Sequence, residues 1–85
     1  MHKRLTLAQL HIGQLARIQQ VLDGPFKEKL LEMGCVPGVL IKPLFKAPLG
    51  DPIAYNLEEY TLSIRKSEAR QIIVKPLDIL FKDEQ

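Results

Sequence analysis

Turn-forming residues divide the middle of this 85-residue chain into short segments, and their spacing constrains the fold more than any other feature. Gly34 ends a helical pattern, and Pro37-Gly38 then suits the two central positions of a type II turn. One strand's length later, two prolines and Gly50-Asp51 mark an ordered loop over residues 47–52. Reversals this close together favour a small domain of short strands and tight turns.

A single amphipathic helix is predicted before these turns. Gly24 can serve as its N-cap, Pro25 suits the first helical position, and Gly34 supplies the left-handed stop, which gives about three turns. Phe26, Leu30 and Met33 recur at helical spacing and form the apolar stripe. The 100° step between neighbours turns Leu31 away from that stripe, so one of the two adjacent leucines is a candidate for exposure.

Five strands are predicted from apolar alternation, over residues 15–22, 39–46, 53–57, 60–65 and 72–74. Pro43 removes a ladder donor from the second of them and predicts a sheet edge or a bulge rather than a central strand. Val39, Ile41 and Phe45 should share one face of that strand. Two short helical turns are expected as well, one capped by Thr6 and one by Ser67.

This pattern predicts a mainly β fold with short helices. About five antiparallel strands, with the amphipathic helix inserted after the first strand, favour a small SH3-like barrel, because closing the sheet on itself buries one face and hides the edges. A split α+β sandwich is the alternative. It would normally need a second long amphipathic helix, and the sequence contains none.

Composition excludes several classes of function. The net charge of +2 comes from 12 basic and 10 acidic residues interspersed along the chain, which argues against a nucleic-acid partner. Cys35 is the single cysteine, so a reducing compartment fits best. No apolar run approaches the roughly 20 residues that span a bilayer. We therefore expect a cytoplasmic protein, with any membrane role coming through a partner.

Catalytic and metal-binding motifs are not evident. His2, His11 and Cys35 lack the paired close spacings of dedicated zinc sites, and the glycines form no phosphate-binding loop. Asp51, following a glycine in a proline-bounded loop, is expected to make local backbone hydrogen bonds. The sequence thus predicts no catalytic residue and no cofactor, and it leaves a transition metal open.

The remaining functional candidates are contact surfaces. Leu31 on the helix and Leu49 on the proline-framed loop are predicted to form an apolar patch for a partner, with Met33 and Asp51 beside them. The alternative is that both leucines belong to the core. Self-association also stays open.

From about Leu5 to Val74 the chain resembles the FeoA family. The resemblance rests on a leucine-rich start ending in Gly13, and on three motifs: Leu30-Leu31-Glu32-Met33-Gly34 with the Pro37-Gly38 turn, Ala47-Pro48-Leu49-Gly50-Asp51-Pro52, and the segment from Tyr60 to Ala69. Where Glu59 stands, the family often has a glycine. A longer hairpin loop, or one of another type, is therefore expected here.

The resemblance implies an SH3-like fold and a non-enzymatic accessory or regulatory role in bacterial ferrous iron uptake. The implied partner is the cytoplasmic GTP-binding domain of the FeoB transporter. Residues 1–76 would form the domain, and the apolar tail 77–85, with Ile79, Leu80 and Phe81, would pack on it or contact another chain. The alternative is a transition-metal-responsive domain related to the C-terminal domains of iron-dependent repressors. Those proteins also carry a DNA-binding helical domain, which favours the accessory role for this sequence.

Overall fold

A computed structural model describes residues 4–77. It consists of one antiparallel sheet with strand order β1-β6-β2-β3-β4-β5 and a few short helices. The strands are β1 (Leu5–Thr6), β2 (Ala16–Val21), β3 (Leu40–Lys46), β4 (Ile53–Leu57), β5 (Tyr60–Ile64) and β6 (Ile72–Pro76). The helices are α1 (Lys27–Glu32) and α2 (Lys66–Ala69), and a 3₁₀ turn spans Leu7–Gln9.

The expected fold class is confirmed, with one more strand than the pattern predicted. The additional strand, β1, pairs with β6 through Leu5 opposite Val74 and Thr6 opposite Ile73. Two residues are too few to show alternation, so sequence periodicity could not reveal it. Strands β1 and β5 are the two edges of the sheet and do not pair with each other. The sheet is therefore open, whereas a closed barrel was expected.

The core lies on the inner face of this sheet. A register shift between Ile18 and Gln20 of β2 explains why Val21, and not Gln20, follows Ile18 into the interior. The fully buried side chains come from every strand from β2 to β6, from α1 and from the 3₁₀ turn, and the largest are Tyr55, Leu7, Ile18, Leu30, Ile41, Leu57, Ile64 and Ile72.

Pro43 lies beside a bulge, as predicted. Its partner on β4 is Tyr55, whereas Phe45 faces Ala54, so Leu44 is the extra residue. The shift reverses the alternation beyond it, and Phe45 is 62% exposed instead of sharing the buried face of Ile41. Strand β3 has neighbours on both sides, but β2 pairs only with its first two residues, so the missing N–H of Pro43 interrupts no ladder there.

Helix α1 is shorter than predicted, at six residues. Its N-cap is Phe26 rather than Gly24, because the chain first makes a tight turn in which the Lys27 N–H reaches the Gly24 carbonyl. The stop is as expected. Gly34 adopts φ +102°, and the Cys35 N–H donates to the Leu30 carbonyl at 3.0 Å. This 6→1 bond is typical of a Schellman motif.

The predicted turns are largely confirmed. Gly38 has φ +99°, and the Val39 N–H donates to the Val36 carbonyl at 3.1 Å, as in a type II turn. The β4–β5 hairpin keeps a two-residue loop rather than a longer one, with Glu58 at φ +48°.

Helix α2 and the end of the described chain follow the hairpin. Helix α2 is capped by Arg65, two residues before the expected Ser67. At the end of the described chain, the Leu77 N–H donates to the Leu15 carbonyl. His2, Ile79, Leu80 and Phe81 lie outside the described residues, so the packing of the tail stays a prediction. Within 4–77, no helix has the length and apolar character needed to traverse a bilayer.

Candidate partner-binding surfaces

The loop between β3 and β4 presents an apolar side chain on a well-defined backbone. The Ala47 N–H donates to the Pro52 carbonyl at 2.9 Å, and the Gly50 N–H donates to the Ala47 carbonyl at 2.7 Å. Gly50 has φ +93°, which a residue without Cβ adopts readily. Leu49, at the tip, is 97% exposed. The predicted assignment of Leu49 to a surface is therefore geometrically sound, and its assignment to the core is not.

Asp51 fixes the position of this loop. Its Oδ1 accepts a hydrogen bond from the Lys66 N–H at 2.9 Å, at the first residue of α2. The expected backbone hydrogen bond is thus made, but to a residue distant in sequence. Because one carboxylate oxygen is engaged in this way, Asp51 acts on the surface mainly by holding Leu49 and its neighbours beside α2.

The α1 end offers less exposed surface than predicted. Leu30 is fully buried, whereas Leu31 and Met33 are half-buried and pack against the core. The expectation that one of the two leucines is exposed is therefore only partly met by Leu31. Beside them, the Tyr60 hydroxyl donates to the Met33 carbonyl at 2.9 Å, which joins the end of α1 to the β4–β5 hairpin.

The four predicted contact residues do not form one patch. Asp51 lies just before β4, and its hydrogen-bond partner Lys66 lies just after β5. Asp51 is therefore at the open end of the β4–β5 hairpin, opposite the turn. Met33 contacts Tyr60, which lies at the turn end of the same hairpin. The structure therefore brings Leu49 and Asp51 together and leaves Met33, with the α1 segment that carries Leu31, at the other end.

A cavity next to the Leu49 loop was not foreseen from the sequence. It has a volume of about 500 Å³. Four separate parts of the chain line it: the 3₁₀ turn, the end of β3, the start of β4, and α2 with the residue after it. Its lining residues, which we call the basic groove, are Thr6, Ala8, Gln9, Leu10, Lys46, Ile53, Lys66 and Arg70. No local motif marks them, because they meet only in the folded sheet.

A second, smaller cavity of about 260 Å³ lies at the α1 end. Its lining includes Gly34 and Leu57 together with the hairpin residues Glu58, Glu59 and Tyr60. Val36, close by in sequence, is 43% exposed. The two ends of the hairpin thus carry cavities of opposite charge, one basic and one acidic.

Two buried titratable groups have raised pKa values. Burial, reinforced by the Glu68 carboxylate, raises the pKa of the Cys35 thiol to about 11, so the thiol is protonated at neutral pH. Burial likewise raises the pKa of Tyr55 to about 12. Among residues 4–77, no three His, Cys, Asp or Glu side chains come close enough to hold a metal ion.

The fold defines a small SH3-like β domain, and its surface carries an exposed apolar loop and the basic groove. The family model for the FeoA domain matches residues 5–76, and this chain belongs to that family. A relative from Porphyromonas gingivalis, an Fe(2+) transport protein A/Fe(2+) transporter FeoB fusion protein, is 39% identical over 72 residues. The match covers 84% of this chain but only 8% of that relative's length.

Solved structures of FeoA proteins share the fold. The FeoA-like protein from Clostridium acetobutylicum superposes with a TM-score of 0.83 at 35% identity, covering 99% of this chain and 100% of the other. The Stenotrophomonas maltophilia FeoA, a prokaryotic SH3 domain protein solved in complex with zinc, gives 0.74 at 26% identity, covering 84% and 89%. The family is therefore one of ferrous iron transport, with an SH3-like fold.

A manganese-dependent transcriptional repressor contains a domain of similar shape. The TM-score is 0.80 at 14% identity, over 91% of this chain and 38% of the repressor. At this identity the likeness shows the fold alone.

Proposed function

We propose that this chain is a non-enzymatic accessory protein of bacterial ferrous iron uptake that acts by direct contact on the cytoplasmic GTP-binding domain of FeoB. The observation that carries the proposal is the Porphyromonas gingivalis relative, in which a 39% identical domain is covalently joined to FeoB. Fusion keeps two domains at high effective concentration, which suits partners that contact each other. On this proposal the protein is cytoplasmic and reaches the inner membrane only through the transporter.

The structure supports a contact role more than a chemical one. Covering an almost fully exposed leucine with a partner is favourable, because its apolar surface leaves water. The loop is already held by backbone bonds and by Asp51, so little conformational entropy is lost when a partner binds. We assign Leu49 and Asp51 to the principal contact surface, and Leu31 and Met33 to a secondary one at the α1 end.

Residues 1–76 form the contact domain in this proposal. The family match over residues 5–76 supports the boundary, and the tail 77–85 is then an addition to the shared domain. Packing of the tail on the domain and contact with a second copy of the chain remain the two alternatives for it.

The test is binding of the purified protein to the GTP-binding domain of FeoB, with and without guanine nucleotide and Fe(II), followed by GTP hydrolysis on the same samples. Leu49→Asp should weaken binding about tenfold or more, because it places a charge at a contact that excludes water. Val36→Asp, at the opposite end of the hairpin, is the matched comparison and should weaken binding much less than Leu49→Asp, because the α1 end is only the secondary contact surface. Thermal unfolding should be unchanged in Leu49→Asp, since the side chain makes no core contact.

Two results would count against the proposal. If wild-type protein binds neither the GTP-binding domain nor the full transporter, the accessory role fails. If Val36→Asp loses binding and Leu49→Asp does not, the accessory role stands, but the contact surface lies at the α1 end.

The second candidate function is that of a transition-metal-responsive regulatory domain. The zinc complex of the Stenotrophomonas maltophilia protein favours it. This function predicts that partner binding depends on Fe(II) or Mn(II). The accessory role predicts binding that persists after chelation, so the same assay with a chelator separates the two.

A further inference from the structure

The basic groove carries three cationic side chains and no carboxylate. Lys46, Lys66 and Arg70 all line it, and its remaining polar residues are Thr6 and Gln9. None of the three cations belongs to an ion pair between described residues, where the two ion pairs join Lys27 with Asp23 and Lys29 with Glu68. Like charges gathered around one concavity repel each other, and an anionic ligand relieves that repulsion.

The nearby carboxylates do not line the groove. Asp51 accepts the backbone N–H of Lys66, and Glu68 of α2 is buried against Lys29 and the Arg65 N–H. Gln9 is also occupied, because its side-chain oxygen accepts the Thr6 N–H at 2.8 Å. The ammonium group of Lys66 lies over Gly50, 3.6 Å from the position that a Cβ would take there. The groove is therefore continuous with the loop that presents Leu49.

The floor of the groove is apolar. Ala8, Leu10 and Ile53 supply it, and Leu10 and Ile53 are themselves buried residues of the core. A small inorganic anion would not fill the groove, whose volume is about 500 Å³. A ligand that carries both carboxylates and aliphatic side chains would satisfy the cations and cover the floor together with Leu49.

We propose that the basic groove is the docking site for a short acidic peptide segment with aliphatic side chains, contributed by the protein partner. The carboxylates would pair with Lys46, Lys66 and Arg70, while an aliphatic side chain would contact Leu10 and Ile53. The inference rests on the proposed function only in that it assigns this segment to the transporter. Its physical basis is the charge and shape of the groove.

The first test uses defined probes on the full chain. A capped hexapeptide of alternating Glu and Leu is titrated while amide chemical shifts are followed, and the same peptide with Gln in place of Glu is the control. Shifts confined to the groove residues with the Glu peptide, and absent with the Gln peptide, are expected. Inorganic phosphate at equal ionic strength should shift few of them. Equal shifts with phosphate would overturn the peptide assignment, and no shifts with the Glu peptide would overturn the site.

The second test uses a charge-matched pair of variants. Lys46→Gln/Lys66→Gln removes two charges from the groove, and Lys42→Gln/Lys75→Gln removes two from elsewhere on the sheet. The groove variant should bind both the Glu peptide and the GTP-binding domain of FeoB about tenfold or more weakly, and with a smaller salt dependence. The control variant should stay within about twofold of wild type, because net charge alone acts only at long range. Equal loss in both variants would reduce the effect to net charge and overturn the site.

The two proposals fail in different ways. If the wild type binds FeoB and the groove variant binds it equally well, the groove is not the docking site, although the accessory role stands. If the wild type does not bind FeoB but the Glu peptide still occupies the groove, the site stands and its partner is another protein.

Discussion

Glu68 is the one charged residue that is buried among residues 4–77, with 4% of its surface exposed. Its Oε2 accepts from the Lys29 ammonium, and its Oε1 accepts from the Arg65 N–H at 3.0 Å. These two bonds join α1 to the start of α2. The hydrogen bond from Lys29, supported by the one from the backbone, lowers the pKa of this carboxyl below its usual 4.5 despite the opposing effect of burial.

Replacing Glu68 should therefore cost stability in a pH-dependent way. Glu68→Gln keeps an acceptor for the Arg65 N–H but removes the charge, and we expect a loss of about 1–2 kcal/mol, reduced by the exposure of Lys29 to solvent. Because the folded-state pKa is depressed, the contribution is fully present above pH 4.5 and is lost as pH falls through the folded-state value. Urea unfolding of the wild type and of Glu68→Gln from pH 7 to pH 3 is the measurement. The difference between their free energies of unfolding should narrow as the pH falls.

The control is Asp23→Asn, which removes an exposed carboxylate from its ion pair with Lys27. It should leave the midpoint of unfolding unchanged at pH 7. A stability difference between wild type and Glu68→Gln that stays constant over the whole pH range would contradict the role given to the Glu68 charge.

Two tyrosines of the same hairpin differ in their hydroxyl groups. The Tyr55 hydroxyl is buried without a hydrogen-bond partner among the described residues, whereas that of Tyr60 donates to the Met33 carbonyl. Tyr55→Phe should leave stability within about 1 kcal/mol of wild type or raise it, because an unpaired buried hydroxyl is unfavourable. Tyr60→Phe should lower stability by about 0.5–1 kcal/mol. Denaturant midpoints that rank the variants in the opposite order would refute this reading.

At the scale of secondary-structure elements, Gly34 ends α1 in a place where no side chain fits. A Cβ built there would overlap the Tyr60 hydroxyl, and the residue also has φ +102°. Gly38, at the next turn, has a similar φ of +99° but open space around it. Substitutions at these two glycines therefore separate the cost of backbone strain from the cost of a steric clash.

We expect Gly38→Ala to cost about 1–2 kcal/mol through strain alone. Gly34→Ala should cost about 0.5–1 kcal/mol more, because Tyr60 must also move and release the Met33 carbonyl. Thermal unfolding of both variants provides the comparison. Adding Tyr60→Ala to Gly34→Ala should recover part of the extra loss. No recovery would mean that the overlap with Tyr60 is not the cause.

The elements also show which information the sequence carries. The glycines and prolines of the sequence correctly predicted the end of α1, the type II turn and the bulge at Pro43, because each of these features depends on one or two residues. The prediction that Phe45 shares a face with Ile41 was wrong, because a bulge changes the face of every residue beyond it. The basic groove was missed for a different reason: its cations come from β3, α2 and the residue after α2, and only strand pairing brings them together.

At the scale of the whole molecule, the two helices are fastened to the β4–β5 hairpin at both of its ends. Tyr60 bonds to the end of α1, Asp51 bonds to the start of α2, and Lys29 links α1 to α2 through Glu68. Cys35 lies fully buried behind these links, directly after the Gly34 stop. Exposing its thiol therefore requires the helices to separate from the sheet.

The rate at which Cys35 reacts with a thiol reagent should thus report global unfolding. Two effects suppress the reaction in the folded protein: the thiol is inaccessible, and its pKa of about 11, against 9.0 in the unfolded chain, reduces the thiolate fraction. For a domain of ordinary stability we expect protection of at least about 10³-fold over the unfolded chain.

The measurement is the rate of reaction with an aromatic disulfide reagent at pH 8 across a urea series, compared with unfolding followed by circular dichroism. A Cys35→Ala/Leu49→Cys variant, with its thiol on the exposed loop tip, should react at nearly the rate of a free thiol in native conditions. If α1 is held as tightly as its two links imply, Cys35 becomes reactive with the same midpoint and urea dependence as the spectroscopic transition. Reaction well below that midpoint would instead show that α1 opens by itself, and the α1 end would then be the adaptable part of the molecule and the Leu49 end the rigid one.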